Sequence, residues 1–139
     1  MLKAAAAKVY QTGLALMLGA AVVLASPAAL ARNAPEVSVT VPGFETITLA
    51  DLPREGRSTY KRILQGGPFS SEKDGTVFGN RERILPRQAR GYYREYTVRT
   101  PRVKNRGARR IVCGGLQPQV PDVCFYTHDH YNSFQQIVQ

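Results

Sequence analysis

The sequence lacks the patterns that mark several common classes of enzyme. It has no G-x-S-x-G segment, which argues against a serine hydrolase with a nucleophile elbow. Its two cysteines are not spaced as C-x-x-C, which argues against a redox role. Its two histidines, His128 and His130, flank Asp129 without the spacing of a metal-binding motif, and no Asp/Glu cluster accompanies them. The sequence therefore implies neither a metal nor another cofactor.

Long apolar runs are missing too. The apolar stretch from Gly13 to Ala25 is about a dozen residues, short of the roughly 20 that a membrane-spanning helix needs. Lys3 and Lys8 precede it and Ala29-Leu30-Ala31 follows it, which is typical of a secretory signal peptide. A retained membrane anchor is the weaker interpretation. We therefore predict a leader at 1–31, an arm at 32–45 and one folded domain at 46–139, secreted into the periplasm or the medium and free of the membrane.

Acidic residues are scarce. The chain has 10 of them against 19 Lys and Arg, a net charge of +9, and loss of Lys3 and Lys8 with the leader leaves about +7. This excess indicates a polyanionic partner, and nucleic acid, an acidic cell-surface polymer or an acidic inhibitor protein all fit it. Charge alone does not choose among them.

The two cysteines, Cys113 and Cys124, both fall in the exported part of the chain. An oxidising compartment favours a disulfide between them, because no third cysteine competes. Such a bond would close a short hairpin loop, for which chain entropy predicts a stabilisation of roughly 3 kcal/mol.

Turn signals divide the exported part into one helix and several short strands. The helix is predicted from Asp51-Leu52-Pro53 to Gln65, with the apolar stripe Tyr60, Ile63 and Leu64 and a Gly66-Gly67 stop. Strands are predicted at 47–50, 92–98, 108–113, 123–127 and 134–138. The predicted fold class is α+β, with one N-terminal helix packed on an antiparallel sheet of four to five strands whose other face is open.

One stretch, Gly91 to Arg110, combines a carboxylate in a Tyr-rich strand with a cluster of arginines. Alternation along the strand puts Tyr93, Glu95 and Thr97 on one face. If the next strand pairs with it as a hairpin, Arg110 and Arg106 can reach the face that carries Glu95. The stretch is then an anion site with a base beside it, although an Arg-rich turn taken alone is more often solvated surface.

Glu95, Arg106, Arg110 and His130 together suit the cleavage of a phosphodiester. They supply a carboxylate base, an imidazole acid and two cations for the extra charge of a phosphorane. A second feature is the Gly79-Asn80 pair, which can turn several backbone N–H groups between Phe78 and Glu82 in one direction. Such a loop can bind the edge of a ligand, and a plain surface turn is an equal alternative.

From about Ile47 to Ile137 the chain resembles the small secreted guanyl-specific ribonucleases of bacteria, the barnase group, and most of all ribonuclease Sa. The blocks that carry the resemblance are DLPREGRSTYKRIL, GGPFSSEKDGTVFGNRERILP, GYYREYTVRTP, RGARRI and YTHDHYNSF. It implies the microbial ribonuclease fold and a monomeric, metal-independent endonuclease that cleaves single-stranded RNA 3′ of guanosine through a 2′,3′-cyclic phosphate. A barstar-like acidic inhibitor is an implied partner.

Residue roles are implied by the same blocks. Glu95 would be the general base, His130 the general acid, and Arg106 and Arg110 the phosphate ligands. Substrate-binding residues would be Tyr131 at the phosphate, Phe78 as a stacking surface, and Gly79, Asn80, Arg81 and Glu82 at the guanine edge.

Two features depart from ribonuclease Sa. Gly79 replaces a polar side chain, which keeps the loop amides but could relax the preference for guanine. Cys113 and Cys124 would cross-link a hairpin, whereas ribonuclease Sa ties its termini together. A different class of function also stays open, namely an exported basic protein of the same fold that binds RNA or an acidic partner without cleaving it.

Overall fold

The computed structural model describes residues 39–139. The predicted leader and residues 32–38 of the predicted arm lie outside this part of the chain. The described elements are β1 Glu45–Thr48, α1 Arg54–Gln65, β2 Thr76–Val77, β3 Tyr93–Thr97, β4 Arg110–Gly114, β5 Val123–Thr127 and β6 Gln135–Val138. Within residues 39–139, no helix has the length and apolarity needed to span a membrane.

The strands form one six-stranded sheet in the order β1-β6-β5-β4-β3-β2. Neighbours are antiparallel except β1 and β6, which pair in parallel. The predicted α+β class with a single helix is confirmed, but the sheet is mixed and has more than the four to five antiparallel strands expected. The two-residue β2 is too short to leave a sequence pattern, and β1 and β6 are brought together from distant parts of the chain.

Helix α1 covers one face of the sheet. It buries Gly56, Thr59 and Ile63, positions that recur at the 3.6-residue period of a helix, while Leu64 is 43% exposed rather than part of the predicted stripe. The Thr59 hydroxyl donates to the carbonyl of Thr97 at 3.1 Å, which fixes the helix to the end of β3. The helix ends at Gly66, whose φ of 77° is the left-handed conformation that glycine adopts at low cost.

Alternation along the strands divides the core into two clusters, one on each sheet face. Tyr96 and Ile111 belong to the cluster beneath the helix. Tyr93 and Val112 belong to the second, together with Leu85, Phe125 and Phe134. The predicted face assignment of β3 and β4 is therefore correct, but the second face is not fully open, because this smaller cluster covers part of it.

Cys113 and Cys124 form a disulfide, as predicted. They are direct partners in the register of β4 and β5, and both belong to the cluster on the helix side. The bond therefore lies on the face away from Tyr93, Glu95 and Thr97.

Candidate active site

A groove of about 690 Å³ lies on the sheet face opposite the helix. Three segments line it: the loop after β2, the middle of β3 and the loop between β5 and β6. They contribute, respectively, Phe78 to Glu82, Glu95, and His130 to Asn132. Alternation along β3 turns Glu95 toward this groove, because its neighbours Arg94 and Tyr96 point to the other face.

Glu95 has both carboxylate oxygens engaged. Oε1 accepts a hydrogen bond from Nη2 of Arg106 at 2.9 Å, and Oε2 accepts one from the hydroxyl of Tyr131 at 2.7 Å. The Glu95 side chain is 15% exposed, so its charge is neutralised and held in one place while still facing the groove.

The Arg106 side chain is fixed by strand β3 and by the turn before β2, which carries Asp74. Its Nε donates to Oγ1 of Thr97 at 2.7 Å, and its Nη2 lies 3.9 Å from Oδ1 of Asp74. The Asp74 side chain is only 3% exposed and accepts backbone N–H groups of Thr97 and Ser71. Asp74 and Gly75 together are a turn signal in the sequence, but nothing local predicts that the Asp74 carboxylate reaches β3.

Arg110 reaches the predicted face but lies beneath the groove rather than in its wall. It is 2% exposed, and its Nη1 donates to the carbonyls of Gly107 and Arg109 at 2.9 and 2.8 Å. Its guanidinium carbon is 5.9 Å from the ring centroid of Tyr131, a cation–π distance. Nε of Arg110 is buried and has no hydrogen-bond partner within the described residues.

Tyr131 stays a neutral donor at physiological pH. Burial raises the pKa of its hydroxyl, the neighbouring Glu95 raises it further, and Arg110 lowers it in part. The ring packs against Phe78, with centroids 5.0 Å apart and planes 28° apart. Tyr131 therefore joins the loop after β2 to the Glu95 carboxylate.

The loop that carries His130 and Tyr131 is strained and tightly tied. Both residues have left-handed φ values, 56° and 72°. Asp129 holds the loop, because its carboxylate accepts from the hydroxyl of Thr127 at 2.9 Å and from the N–H and hydroxyl of Ser133 at 3.0 and 2.6 Å. The hydrogen bonds from Ser133 lower the pKa of Asp129 to about 2, although burial opposes the shift.

His130 itself is exposed in the groove, and its ring centroid is 4.9 Å from that of Tyr131. The backbone N–H of His130 donates to the carbonyl of Ala108 at 3.2 Å, which ties His130 to the segment before β4. Sequence analysis considered Asp129 only as a metal ligand and missed its structural role. The signal was present, since Asp with Thr and Ser nearby often closes a loop through side-chain hydrogen bonds.

The loop after β2 is closed by Asn80, whose φ is 46°. Nδ2 of Asn80 donates to the carbonyl of Leu85 at 2.8 Å, and the N–H of Leu85 donates to Oδ1 at 3.1 Å. The Asn80 side chain thus holds the loop in shape through the backbone of Leu85. The Glu82 carboxylate, in contrast, lines the groove and has no ion pair or hydrogen bond within the described part of the chain.

The structure thus brings most of the predicted site residues together. Glu95, His130, Tyr131 and the whole of Phe78 to Glu82 share one groove, Arg106 touches it through Glu95, and Arg110 supports it from below. His128 is exposed and does not line the groove. Among residues 39–139, no three His, Cys, Asp or Glu side chains are grouped closely enough to hold a metal ion.

Known proteins with similar sequences share this chain's domain over most of their length. A model of the ribonuclease family matches residues 34–138. Guanyl-specific ribonuclease St of Saccharopolyspora erythraea is 55% identical over 93 residues, which cover 67% of this chain and 87% of that protein. Guanyl-specific ribonuclease Sa of Kitasatospora aureofaciens is 46% identical over 94 residues, which cover 68% and 94%. The identity to ribonuclease St thus exceeds that to ribonuclease Sa, which the sequence blocks had put first.

Solved structures agree with the sequence comparison. Ribonuclease Sa2, solved in complexes with mononucleotides, superimposes with a TM-score of 0.65 at 37% identity and covers 71% of this chain and 98% of that one. Its structure with guanosine-2′-cyclophosphate gives a TM-score of 0.61 at 38% identity, covering 68% and 96%. Since the family model spans most of the chain and these relatives match over nearly their whole length, the chain belongs to the family of microbial guanyl-specific ribonucleases.

Proposed function

We propose that the protein is a metal-independent endoribonuclease that cleaves single-stranded RNA on the 3′ side of guanosine and forms a 2′,3′-cyclic phosphate. One observation carries the proposal: a single groove holds a carboxylate fixed by an arginine, an exposed imidazole and, on its loop wall, a second carboxylate without a partner. These are Glu95, His130 and Glu82. The relatives named guanyl-specific ribonucleases support the same assignment.

In the first step Glu95 takes the proton of the ribose 2′-hydroxyl. The 2′-oxygen then forms a bond to phosphorus, the bond from phosphorus to the 5′-oxygen breaks, and His130 donates a proton to the departing oxygen. Hydrolysis of the cyclic phosphate reverses the two roles, with His130 activating water. This assignment explains why the carboxylate and the imidazole line one groove from different elements.

Two cations and one hydroxyl are available to the phosphate. Arg106 and Tyr131, which contact Glu95, can turn to donate to phosphate oxygens when the substrate enters. Arg110 is buried, its Nε is unpaired within the described residues, and it adds positive charge from beneath in a region of low dielectric. Because backbone carbonyls already hold Arg110 in place, its charge stabilises the extra charge of a phosphorane without further reorganisation.

Base selection is assigned to the loop from Phe78 to Glu82. The unpaired Glu82 carboxylate can accept two hydrogen bonds from guanine N1–H and the exocyclic N–H, and adenine offers no such pair of donors on that edge. The backbone N–H groups of Gly79, Asn80 and Arg81 are assigned to the opposite side of the base edge. Asn80 keeps the loop in shape through Leu85 rather than by touching the base.

Export and partners belong to the same proposal. A disulfide between Cys113 and Cys124 is typical of an oxidising compartment, which agrees with the predicted leader at 1–31. The basic exported chain is proposed to act as a monomer and to be inhibited by an acidic protein of the barstar type. Detection of the processed protein, beginning at Arg32, outside the cytoplasm would support the export step, and retention of the leader would contradict it.

The decisive experiment is the digestion of a defined single-stranded RNA by the exported form, with every cleaved bond mapped. We expect cuts after guanosine, products that carry a 2′,3′-cyclic phosphate, full activity in EDTA, and no cleavage of DNA of the same sequence. Binding of the RNA without cleavage would favour the alternative of a non-catalytic binding protein. Loss of activity in EDTA would contradict the metal-independent mechanism.

A further inference from the structure

A second groove, of about 730 Å³, lies on the other side of the loop that borders the active site. Residues 77–81 line both grooves, so the loop forms a ridge between them. From this ridge the second groove continues along residues 87–91 to Tyr93. Its lining includes four arginines: Arg81, Arg83, Arg87 and Arg90. We refer to it as the arginine groove.

The four arginines are exposed and carry unbalanced charge. Within residues 39–139 none of them forms an ion pair, since the ion pairs found there all involve Arg106. No Asp or Glu occurs among the described residues that line the arginine groove, and the neighbouring Glu82 lines the active-site groove instead. A concave surface lined by charges of one sign concentrates its field, and guanidinium groups fit phosphate oxygens with paired hydrogen bonds.

The ridge between the two grooves is low at Gly79. This residue lines both grooves and has no side chain. A Cβ placed there would touch only the flexible side chain of Arg81, at 3.6 Å, and no other segment of the chain. An extended strand can therefore pass from one groove to the other across Gly79.

We propose that the arginine groove binds the phosphates of the RNA nucleotides on the 5′ side of the guanosine, an inference that rests on the proposed function. Direction follows from the placement of the catalytic groups. Glu95 and His130, which act on the phosphate 3′ of the guanosine, line only the active-site groove. With the base held at the loop, the strand on the 5′ side leaves across the loop in the other direction, toward Arg83, Arg87 and Arg90.

Three RNA substrates with a single guanosine test the proposal. They are the dinucleotide GpU, the 5′-extended UpUpUpGpU and the 3′-extended GpUpUpUpU, each with one bond to cleave. Binding is measured separately on the 5′-extended strand with 2′-deoxyguanosine, which lacks the nucleophile and stays intact.

The groove variant combines Arg83→Asn, Arg87→Gln and Arg90→Gln. Asparagine is used at 83 because Arg83 has a φ of 54°, a conformation that Asn tolerates better than most residues. The matched control combines Arg54→Gln, Lys61→Gln and Arg62→Gln on the exposed side of α1, across the sheet from both grooves. Each variant loses three positive charges, so any difference between the two reflects the position of those charges and not the net charge.

We expect the parent and the control to cleave the 5′-extended substrate with a higher kcat/KM than GpU. In the groove variant this advantage should fall about tenfold or more, while cleavage of GpU and of the 3′-extended strand stays at the parental level. The slope of log binding constant against log salt should become shallower by about 2, since each phosphate contact on a single strand contributes about 0.7. The triple Arg→Lys variant should retain most of the binding, because its charges remain.

Different failures have different meanings. If the parent cleaves RNA but the groove variant and the control behave alike on all three substrates, the arginine groove has no role in RNA binding, as would be the case if it served an acidic protein. Loss confined to the 3′-extended strand would overturn the direction of the strand. If the parent cleaves none of the substrates, the proposed function is wrong, and the salt slopes alone decide whether the groove holds RNA.

Discussion

At the scale of single residues, Glu95 is held by one charged and one neutral donor. Arg106 neutralises the charge of Glu95, and the hydroxyl of Tyr131 donates a hydrogen bond to it. The hydroxyl keeps its proton, because burial and Glu95 both raise the pKa of Tyr131. Both donors can turn to a phosphate that enters the groove. Glu95 would then lose the partners that occupy its lone pairs and become free to accept the 2′-hydroxyl proton. Because Arg106 and Tyr131 both contact Glu95, binding of the substrate would free the base.

Replacement of either proposed proton-transfer group should remove most of the activity. A positioned acid or base contributes about 10²- to 10⁴-fold to the rate, so we expect Glu95→Gln and His130→Gln each to lower kcat on RNA by an amount in that range. Activity of the parent should rise and then fall with pH, because one group must be ionised and the other protonated. Initial rates on GpU across the pH range measure both effects.

Guanosine 2′,3′-cyclic phosphate provides the control for this test. Its hydrolysis needs no proton on a departing 5′-oxygen, yet His130→Gln should still lose the reaction, because His130 activates water in that step. Melting curves should show that both variants remain folded. A pure His130→Gln protein that cleaved RNA at the parental rate would contradict the assigned mechanism.

Glu82 should govern base selection rather than rate in general. Its carboxylate lines the groove without a partner in the described residues, so Glu82→Ala should reduce cleavage after guanosine by roughly 10²-fold or more, as a site built for hydrogen bonds loses its acceptor. Rates on GpU and ApU measure the preference for guanosine, as the ratio of the two rates. The neighbouring exposed Arg83→Asn variant serves as the control and should leave that ratio unchanged. Equal losses on both dinucleotides would mean that Glu82 has a structural role.

The placement of Glu95 and His130 in one groove could be predicted from the sequence more easily than the contacts that support them. Glu95 and His130 stand out because few residue types transfer protons near neutral pH, and strand alternation gave the correct face for Glu95. The roles of Asp74 and Asn80 could not be predicted, because their partners Thr97 and Leu85 follow only from the folded path of the loops. Arg110 was expected in the groove, and its burial beneath Tyr131 depends on packing that no local pattern records.

At the scale of elements, the segment from Thr127 to Ser133 has to hold two consecutive left-handed residues, His130 and Tyr131. Such residues are costly unless their surroundings fix them, and here the Asp129 carboxylate supplies three of the hydrogen bonds. The position of the imidazole in the groove therefore depends on a residue that has no proposed part in the reaction.

The contribution of Asp129 to stability should depend on pH. Its pKa is about 2 in the folded protein, below its ordinary value of 3.8, so the folded state binds fewer protons between these values. The stabilisation is complete above about pH 4 and is lost as the pH falls toward 2. We expect Asp129→Asn to lower the free energy of unfolding by about 1–2 kcal/mol at pH 6, and the difference from the parent should shrink toward pH 2.

Urea denaturation of both proteins at pH 6 and pH 2.5 measures this difference. Asp122→Asn is the matched control, since Asp122 is exposed and its carboxylate accepts a hydrogen bond only from the Tyr92 hydroxyl within the described chain. Its effect should be small and the same at both pH values. A difference for Asp129→Asn that stayed constant with pH would show that the ionised carboxylate does not hold the loop.

The elements themselves were predictable where their signals are local. Strand β5, at Val123–Thr127, matches its predicted bounds, and the helix ends at Gln65 as its two following glycines indicate. β1 begins at Glu45, at the end of the predicted arm, because its pairing with β6 adds residues that alternation alone did not include. The buried Gln136 on β6 also fixes Val39 and Val41, a contact between segments almost a hundred positions apart.

At the scale of the whole molecule, the two faces of the sheet have different roles. The helix and the disulfide lie on one face in the larger core cluster, and the two grooves lie on the other. Exposed positive charge occurs on both faces, so net charge alone attracts RNA without selecting where the strand binds, and any selection has to come from local groupings such as the arginine groove. This division means that changes beneath the helix should alter how firmly the protein folds more than how fast it cleaves RNA.

Removal of the disulfide tests this separation. Combined replacement Cys113→Ala and Cys124→Ala frees a loop with a sequence separation of 11, so we expect the free energy of unfolding to fall by roughly 3 kcal/mol, as loop closure predicts. Cleavage of GpU at 25 °C should stay close to the parental rate, since both cysteines face the helix side of the sheet. Urea denaturation and initial rates measure the two quantities, and the parent treated with a reductant is the control for the loss of the bond alone. A folded variant with greatly reduced kcat would show that the disulfide shapes the catalytic face through β4, and that the two faces are not independent.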